Sequence, residues 1–161
     1  MILDTTYFLP LVGIEVDVDL LRACIEGRAR LSLDEVKLSL ISIFELQAKA
    51  AKLGIPAERV ITAIDAILDG FEVVSFYEQD VVRISHSLRR MLPDYIDCVI
   101  LATAIALGED IATEDEMISE VRDKIEALHR IRVRGYGDLV GPDRERVDQK
   151  RLWRRDLFTR A

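Results

Sequence analysis

Short apolar runs alternate along this chain with longer stretches in which apolar residues recur every three or four positions. The runs at residues 1–3, 35–42, 71–76, 110–113 and 131–134 have the length of strands. The second alternates Val36, Leu38 and Leu40 against Lys37, Ser39 and Ile41. Between the runs the helical period takes over. A helix opens at Asp17-Val18-Asp19, continues through Leu20, Leu21, Cys24 and Ile25, and fades in the charged residues 26–30. Residues 7–13 are apolar but interrupted by Pro10, which reads as a turn or short helix. A second helix starts near Phe44 and stops at Gly54. Pro56 starts a third, with Val60, Ile61, Ile64, Ile67 and Leu68 as its apolar stripe and Gly70 at its end. Residues 78–91 turn Val81, Val82, Ser85 and Leu88 inward, and residues 116–128 do so with Met117, Val121, Ile125 and Leu128. Gly135-Tyr136-Gly137 reads as a turn.

Residues 93–116 differ from the rest. Pro93 and Asp94 can cap a helix whose middle, residues 99–107, is small or apolar almost all round, as in a buried helix. Gly108 ends it, and Ile111-Ala112 leads into Thr113-Glu114-Asp115-Glu116. The resulting order β-α-β-α-α-β-α-α-β-α-β, with short apolar strands, predicts an α/β fold with helices on both faces of a mostly parallel sheet.

Composition adds bounds. A chain of 161 residues, half hydrophobic and a third charged, fits an ordinary globular domain that builds its core without disulfides. Cys24 and Cys98 lie in helical stretches and read as two buried, reduced thiols. No apolar stretch is long enough to cross a membrane, and the first residues lack a basic, then apolar, leader. A cytoplasmic location is therefore expected. Asn is absent and Gln occurs only at 47, 79 and 149, a depletion that points toward a thermophilic source.

Charge is unevenly spread. Residues 141–161 hold seven basic and four acidic side chains, a balance of +3, which leaves −10 on residues 1–140 out of the total of −7. An acidic body disfavours indiscriminate duplex binding but suits a nucleic acid held through divalent cations. We divide the chain at this point, into a domain over 1–140 and a basic, helical extension over 141–161. In the extension Gly141-Pro142 breaks the chain and Asp143 caps a helix containing Val147, Leu152, Trp153, Leu157 and Phe158. That helix either packs back on the domain or a second subunit, or uses Arg151, Arg154 and Arg155 on phosphates with Trp153 stacking a base.

Four acids share one positional property. Asp4 ends the first strand, Glu45 follows the second, Asp97 lies in the first turn of the apolar helix, and Asp115 follows the strand after it. Strand tips of a parallel sheet face one way, so these carboxylates can converge. Crowded carboxylates need a compensating cation, and oxygen-only ligation suits Mg²⁺ or Mn²⁺. Such a site hydrolyses phosphodiesters by activating water on one ion and stabilising the leaving oxygen on another. Each acid also has a structural alternative: Asp4 as a turn former, Glu45 on a helix dipole, Asp94 and Asp97 as a cap and its third residue, Asp115 as a cap. Glu114 and Glu116 read as solvated charges. So do Arg83, Arg89 and Arg90, which are also a second candidate phosphate contact, while His86 and His129 read as structural.

The company these acids keep is more specific. Leu3-Asp4-Thr5-Thr6, then Ser42-Ile43-Phe44-Glu45-Leu46, then residues 97–104 (DCVILATA), then Ile111-Ala112-Thr113-Glu114-Asp115 resembles the PIN-domain family over about residues 1–140. Cys98 stands where that family usually has Ala. The resemblance implies a PIN-like three-layer α/β/α sandwich and a metal-dependent endoribonuclease, with Asp4, Glu45, Asp97 and Asp115 as catalytic and metal-binding acids for Mg²⁺ or Mn²⁺. Thr6 and Thr113 match its supporting hydroxyls. It further implies an RNA substrate, a homodimer, and a VapC-type toxin partnered by a VapB-like antitoxin. Two other readings follow from the residues: a PIN-like RNA- or protein-binding subunit without catalysis, which the presence of all four acids disfavours, and a phosphatase of the haloacid dehalogenase type. The latter needs Asp-x-Asp, and Thr6 occupies the second position.

Overall fold

The two residues of strand β1 (Ile2–Leu3) point to opposite faces of a sheet and both are fully buried, so each face must be covered. The computed structural model describes residues 1–141. After β1 come a 3-10 segment (Thr5–Val12), α1 (Leu20–Ile25), a 3-10 turn (Leu33–Glu35), β2 (Lys37–Ser39), α2 (Leu40–Lys52), α3 (Ala57–Gly70) and β3 (Glu72–Val74). Then follow α4 (Gln79–Leu88), α5 (Tyr95–Leu107), β4 (Ile111–Ala112), α6 (Glu116–Glu120), α7 (Arg122–His129), β5 (Val133–Arg134) and α8 (Tyr136–Leu139). The five strands are all parallel, in the order β3-β2-β1-β4-β5. The chain therefore winds outward from β1 to β3, then returns to the other side of β1. The switch between β1 and β4 opens a crevice at the carboxyl ends of those strands.

Leu3, Leu38 and Ala112 face a cluster that includes Phe8, Leu46, Ala50, Ala63 and Ile67 from the 3-10 segment, α2 and α3. Ile2, Ile111 and Val133 face the opposite cluster, with Val81, Leu88, Ile118 and Ile125 from α4, α6 and α7, and the middle of α5. The result is the three-layer α/β/α sandwich expected from the sequence. Every residue of 98–104 is buried in α5, and Gly108 caps the helix with φ of 65°, a left-handed value that favours glycine. The buried Thr103 hydroxyl donates to a backbone carbonyl one turn back and also lies 3.0 Å from Ser39 Oγ, tying α5 to the end of β2.

Several elements differ from the sequence reading. The second strand covers 37–39 rather than 35–42, because Leu40 already begins α2, which buries Ser42, Ile43, Leu46 and Ala50 at helical spacing. Glu45 thus sits in the second turn of α2, not the first turn after a strand. The helix expected over 116–128 breaks at Val121, letting Ile118 and Ile125 both reach the core while Met117 and Leu128 stay exposed. Ile61 and Leu68 on α3 and Val82 on α4 are exposed as well, because Ala63, Ile67 and Val81 fill the inward positions. The turn at 135–137 is the start of α8. Cys98 is buried, but Cys24 is half-buried. No helix among the described residues is long and apolar enough to cross a membrane. The helix expected over 143–158, with its Trp153 and arginines, lies outside the described residues.

Candidate functional site

The register of β1 and β4 places the first pair of groups. Leu3 pairs with Ala112, and the Asp4 N–H donates to the Ala112 carbonyl at 2.9 Å, so Asp4 and Thr113 leave adjacent strands side by side. The Thr113 hydroxyl donates to Asp4 Oδ2 at 2.9 Å and accepts the Asp115 N–H at 3.0 Å. Asp4 Oδ1 accepts the Thr5 N–H at 2.6 Å. Thr6 Oγ1 is 3.5 Å from Oδ2, a much looser contact.

The second pair comes from helices. Glu45 projects from α2, and its Oε2 accepts the Thr5 hydroxyl at 2.5 Å. Its Oε1 is 2.7 Å from Lys49 Nζ, one turn further along. Asp94 caps α5 by accepting the Ile96 N–H at 2.7 Å, which leaves Asp97 in the first turn free of capping duty. Asp115 does cap: its Oδ1 accepts the Ile118 N–H of α6 at 2.9 Å. One oxygen of Asp115 is therefore occupied, and the structural alternative and a site role coexist on this side chain.

Hydrogen bonds thus run from Glu45 through Thr5, Asp4 and Thr113 to the Asp115 backbone. Electrostatics brings in Asp97. Burial, then the charges of Asp115, Asp94, Asp4 and Glu45, push its carboxyl up to about 7. Burial also raises Asp4, to about 6, against the Thr113 hydrogen bond that lowers it, and Glu45 adds to the rise. The charges of Asp4, Glu45 and Asp115 thus all bear on Asp97, near the carboxyl ends of β1 and β4. Among the described residues, no three His, Cys, Asp or Glu side chains already stand close enough to hold one ion. The donor set still fits a hydrated cation. Mg²⁺ takes one or two carboxylates and fills its remaining positions with water, and the burial and neighbouring negative charge that raise Asp4 and Asp97 are what such a charge would offset.

The family model described as "PIN domain" matches residues 1–124. The chain belongs to the PIN-domain family. Solved structures support the same fold for this PIN domain. The VapBC2 complex from Rickettsia felis, bound to a fragment of its promoter DNA, contains a chain with TM-score 0.59 and 19% identity, over 84% of this chain and 97% of that one. FitAcB from Neisseria gonorrhoeae gives TM-score 0.57 and 21% identity, over 83% and 96%. A toxin–antitoxin complex from Klebsiella pneumoniae gives 0.56 and 20%, over 74% and 91%. No curated protein is significantly similar in sequence.

Three residues near the acids in this PIN domain escaped the sequence reading. Thr5, not Thr6, makes the close contacts to Asp4 and Glu45. Lys49 sits four residues after Glu45, a spacing that was legible as a helical ion pair. Glu114, expected to be solvated, accepts the Tyr7 hydroxyl at 2.6 Å and the Tyr136 N–H, tying the 3-10 segment to α8. Nothing local to Glu114 announces partners 107 and 22 residues away. The helix-four arginines are engaged locally in two cases: Arg83 pairs with Asp80 at 2.8 Å, and Arg89 donates to the Leu92 carbonyl at 2.9 Å. His86 packs edge-on against Tyr95, with ring centroids 5.6 Å apart.

Proposed function

We propose that this PIN domain is a divalent-metal-dependent endoribonuclease and the toxin of a toxin–antitoxin pair. The observation that supports the catalytic part is Asp97, whose carboxyl is pushed up by burial and then by the charges of Asp115, Asp94, Asp4 and Glu45, near the sheet's topological switch. Asp4, Glu45, Asp97 and Asp115 would hold Mg²⁺ or Mn²⁺, which when bound supplies water activation and neutralises charge on the phosphodiester. Thr113 and the Thr5 backbone orient the Asp4 carboxylate, the Thr5 hydroxyl orients Glu45, and Thr6 stands further back. The buried α5 keeps Asp97 in place against them.

Asp97→Asn tests this reading: RNA cleavage is lost while circular dichroism and melting remain those of a folded protein. Full cleavage by that variant, or by the wild type in excess EDTA, sinks it. The toxin role is supported by the structural relatives, among them the VapBC2 complex, FitAcB and the toxin–antitoxin complex from Klebsiella pneumoniae. It entails a VapB-like antitoxin, a cytoplasmic setting and a homodimer, with the nuclease in residues 1–140 and 141–161 as an appended basic segment. Expression alone should arrest growth and coexpressed antitoxin should relieve it. Normal growth with demonstrably active enzyme overturns the toxin role alone.

A further inference from the structure

Lys49 stands out among the cations of the described residues. Its Nζ is 2.7 Å from Glu45 Oε1, and among the described residues no other Lys or Arg lies within ion-pair distance of Asp4, Glu45, Asp97 or Asp115. An ordinary helix-surface pair has two solvated partners. Here the lysine side chain is 42% exposed and that of Glu45 only 16%, a profile shared by Arg122–Glu126, so what sets Lys49 apart is that its partner belongs to the acid cluster. The other Glu45 oxygen accepts the Thr5 hydroxyl, so a metal binding Glu45 meets one oxygen held by a hydroxyl and the other paired with a cation.

We propose that Lys49 is a displaceable counter-ion of the acid cluster: it occupies Glu45 Oε1 until a divalent cation arrives, and is then released to the substrate's phosphate backbone. The inference rests on the metal-dependent nuclease reading and adds to it a substrate contact on this chain. Two features of the site favour the exchange. A divalent ion bound to Glu45 would take up the carboxylate's charge and repel the neighbouring ammonium, so ion binding weakens the pair and lets the lysine swing away without moving helix α2. The freed ammonium is a compact point charge on a flexible four-carbon stem, anchored beside Glu45 and close enough to act on Asp4, carboxylates that otherwise repel a polyanion. The freed lysine would then offer an entering phosphate a positive charge from this chain, in addition to the bound cation.

The test compares wild type with Lys49→Met and Lys52→Met. The second variant removes the same charge from the exposed end of the same helix, away from Glu45. Mn²⁺ is titrated calorimetrically into metal-stripped protein, and cleavage of a single-stranded RNA oligonucleotide is followed across a range of salt concentrations. Lys49→Met should bind Mn²⁺ about threefold more tightly, the scale of a partly exposed ion pair. It should also raise KM for RNA several-fold with kcat little changed, and reduce the slope of log kcat/KM against log salt by about 0.7, the value for one lost phosphate contact on a single strand. Lys52→Met should do none of these. Equal Mn²⁺ affinity in Lys49→Met and wild type overturns the exchange, and so does an equal gain in Lys52→Met. Tighter Mn²⁺ binding with unchanged KM and salt slope overturns the release to phosphate. A wild type that binds no Mn²⁺ and cleaves no RNA overturns the nuclease reading itself, and the role of Lys49 with it.

Discussion

Asp97 is half-buried among charges of its own sign, and its carboxyl is held near 7, with Asp4 beside it near 6. The consequence for stability has a definite sign. Both groups are harder to ionise in the folded protein than in the unfolded chain, so between about pH 4 and pH 7 the native state holds more protons and loses stability as pH rises. In metal-free protein, melting temperature should therefore fall from pH 5 to pH 8. Asp97→Asn, which mimics the neutral acid, should recover about 1–2 kcal/mol at pH 8 and much less at pH 4. That figure is well below the full linkage value because Asp97 is half-exposed and solvent screens it. An Asp97→Asn variant no more stable than wild type at pH 8 would show that the crowding is relaxed in solution. Thr113 works in the opposite direction, stabilising the ionised form of Asp4 while also receiving the Asp115 N–H. Thr113→Val keeps the shape but strips both bonds, and should cost about 1–2 kcal/mol in denaturant melts while moving the Asp4 titration further up.

At the level of elements, α5 does two jobs through one composition. Residues 98–104 are buried on every side, which leaves no room for larger side chains and fixes where Asp97 sits. Ala102→Leu, at a position with no exposure, should cost about 1–3 kcal/mol by overpacking. It should weaken Mn²⁺ binding as well, although Ala102 lies away from the acids. Unchanged Mn²⁺ affinity in a destabilised Ala102→Leu would separate the scaffold from the site. This element, and the strands that carry Asp4 and Asp115, were legible in the sequence because their signals are local: a nearly unbroken apolar helix, a cap at Asp94, an apolar run ending in an acid. Helix α2 was not legible at its start, since Val36, Leu38 and Leu40 alternate as a strand would and only packing decides that Leu40 belongs to the helix. The break at Val121 was hidden for a similar reason, with two half-helices matching one period. Thr5 and Glu114 were missed because their partners lie 40 or more residues away for the contacts that matter, to Glu45 and Tyr7. Sequence pattern finds the carriers of charge here, and tertiary contact decides which neighbours orient them.

For the whole molecule, the acid cluster sits in a body already carrying −10 over residues 1–140, so ionising Asp4 and Asp97 at the β1–β4 switch has to be offset elsewhere in packing. A cation that binds the folded site and not the unfolded chain removes that penalty and adds its own binding energy. At about a hundred times its dissociation constant the gain is about 2.7 kcal/mol, which for a domain of this size raises the melting temperature by several degrees. Adding Mn²⁺ to metal-stripped wild type at pH 8 should therefore give a saturable rise in melting temperature, reversed by EDTA. The rise should shrink at pH 5, where Asp97 and Asp4 are protonated and must release their protons before they can bind. In Asp97→Asn the starting stability should be higher and the Mn²⁺-dependent rise smaller. Those two changes together distinguish a metal centre from a merely strained acid cluster, which would show the first and have no rise to lose. A rise of equal size in wild type and Asp97→Asn would place the ion elsewhere on this acidic surface.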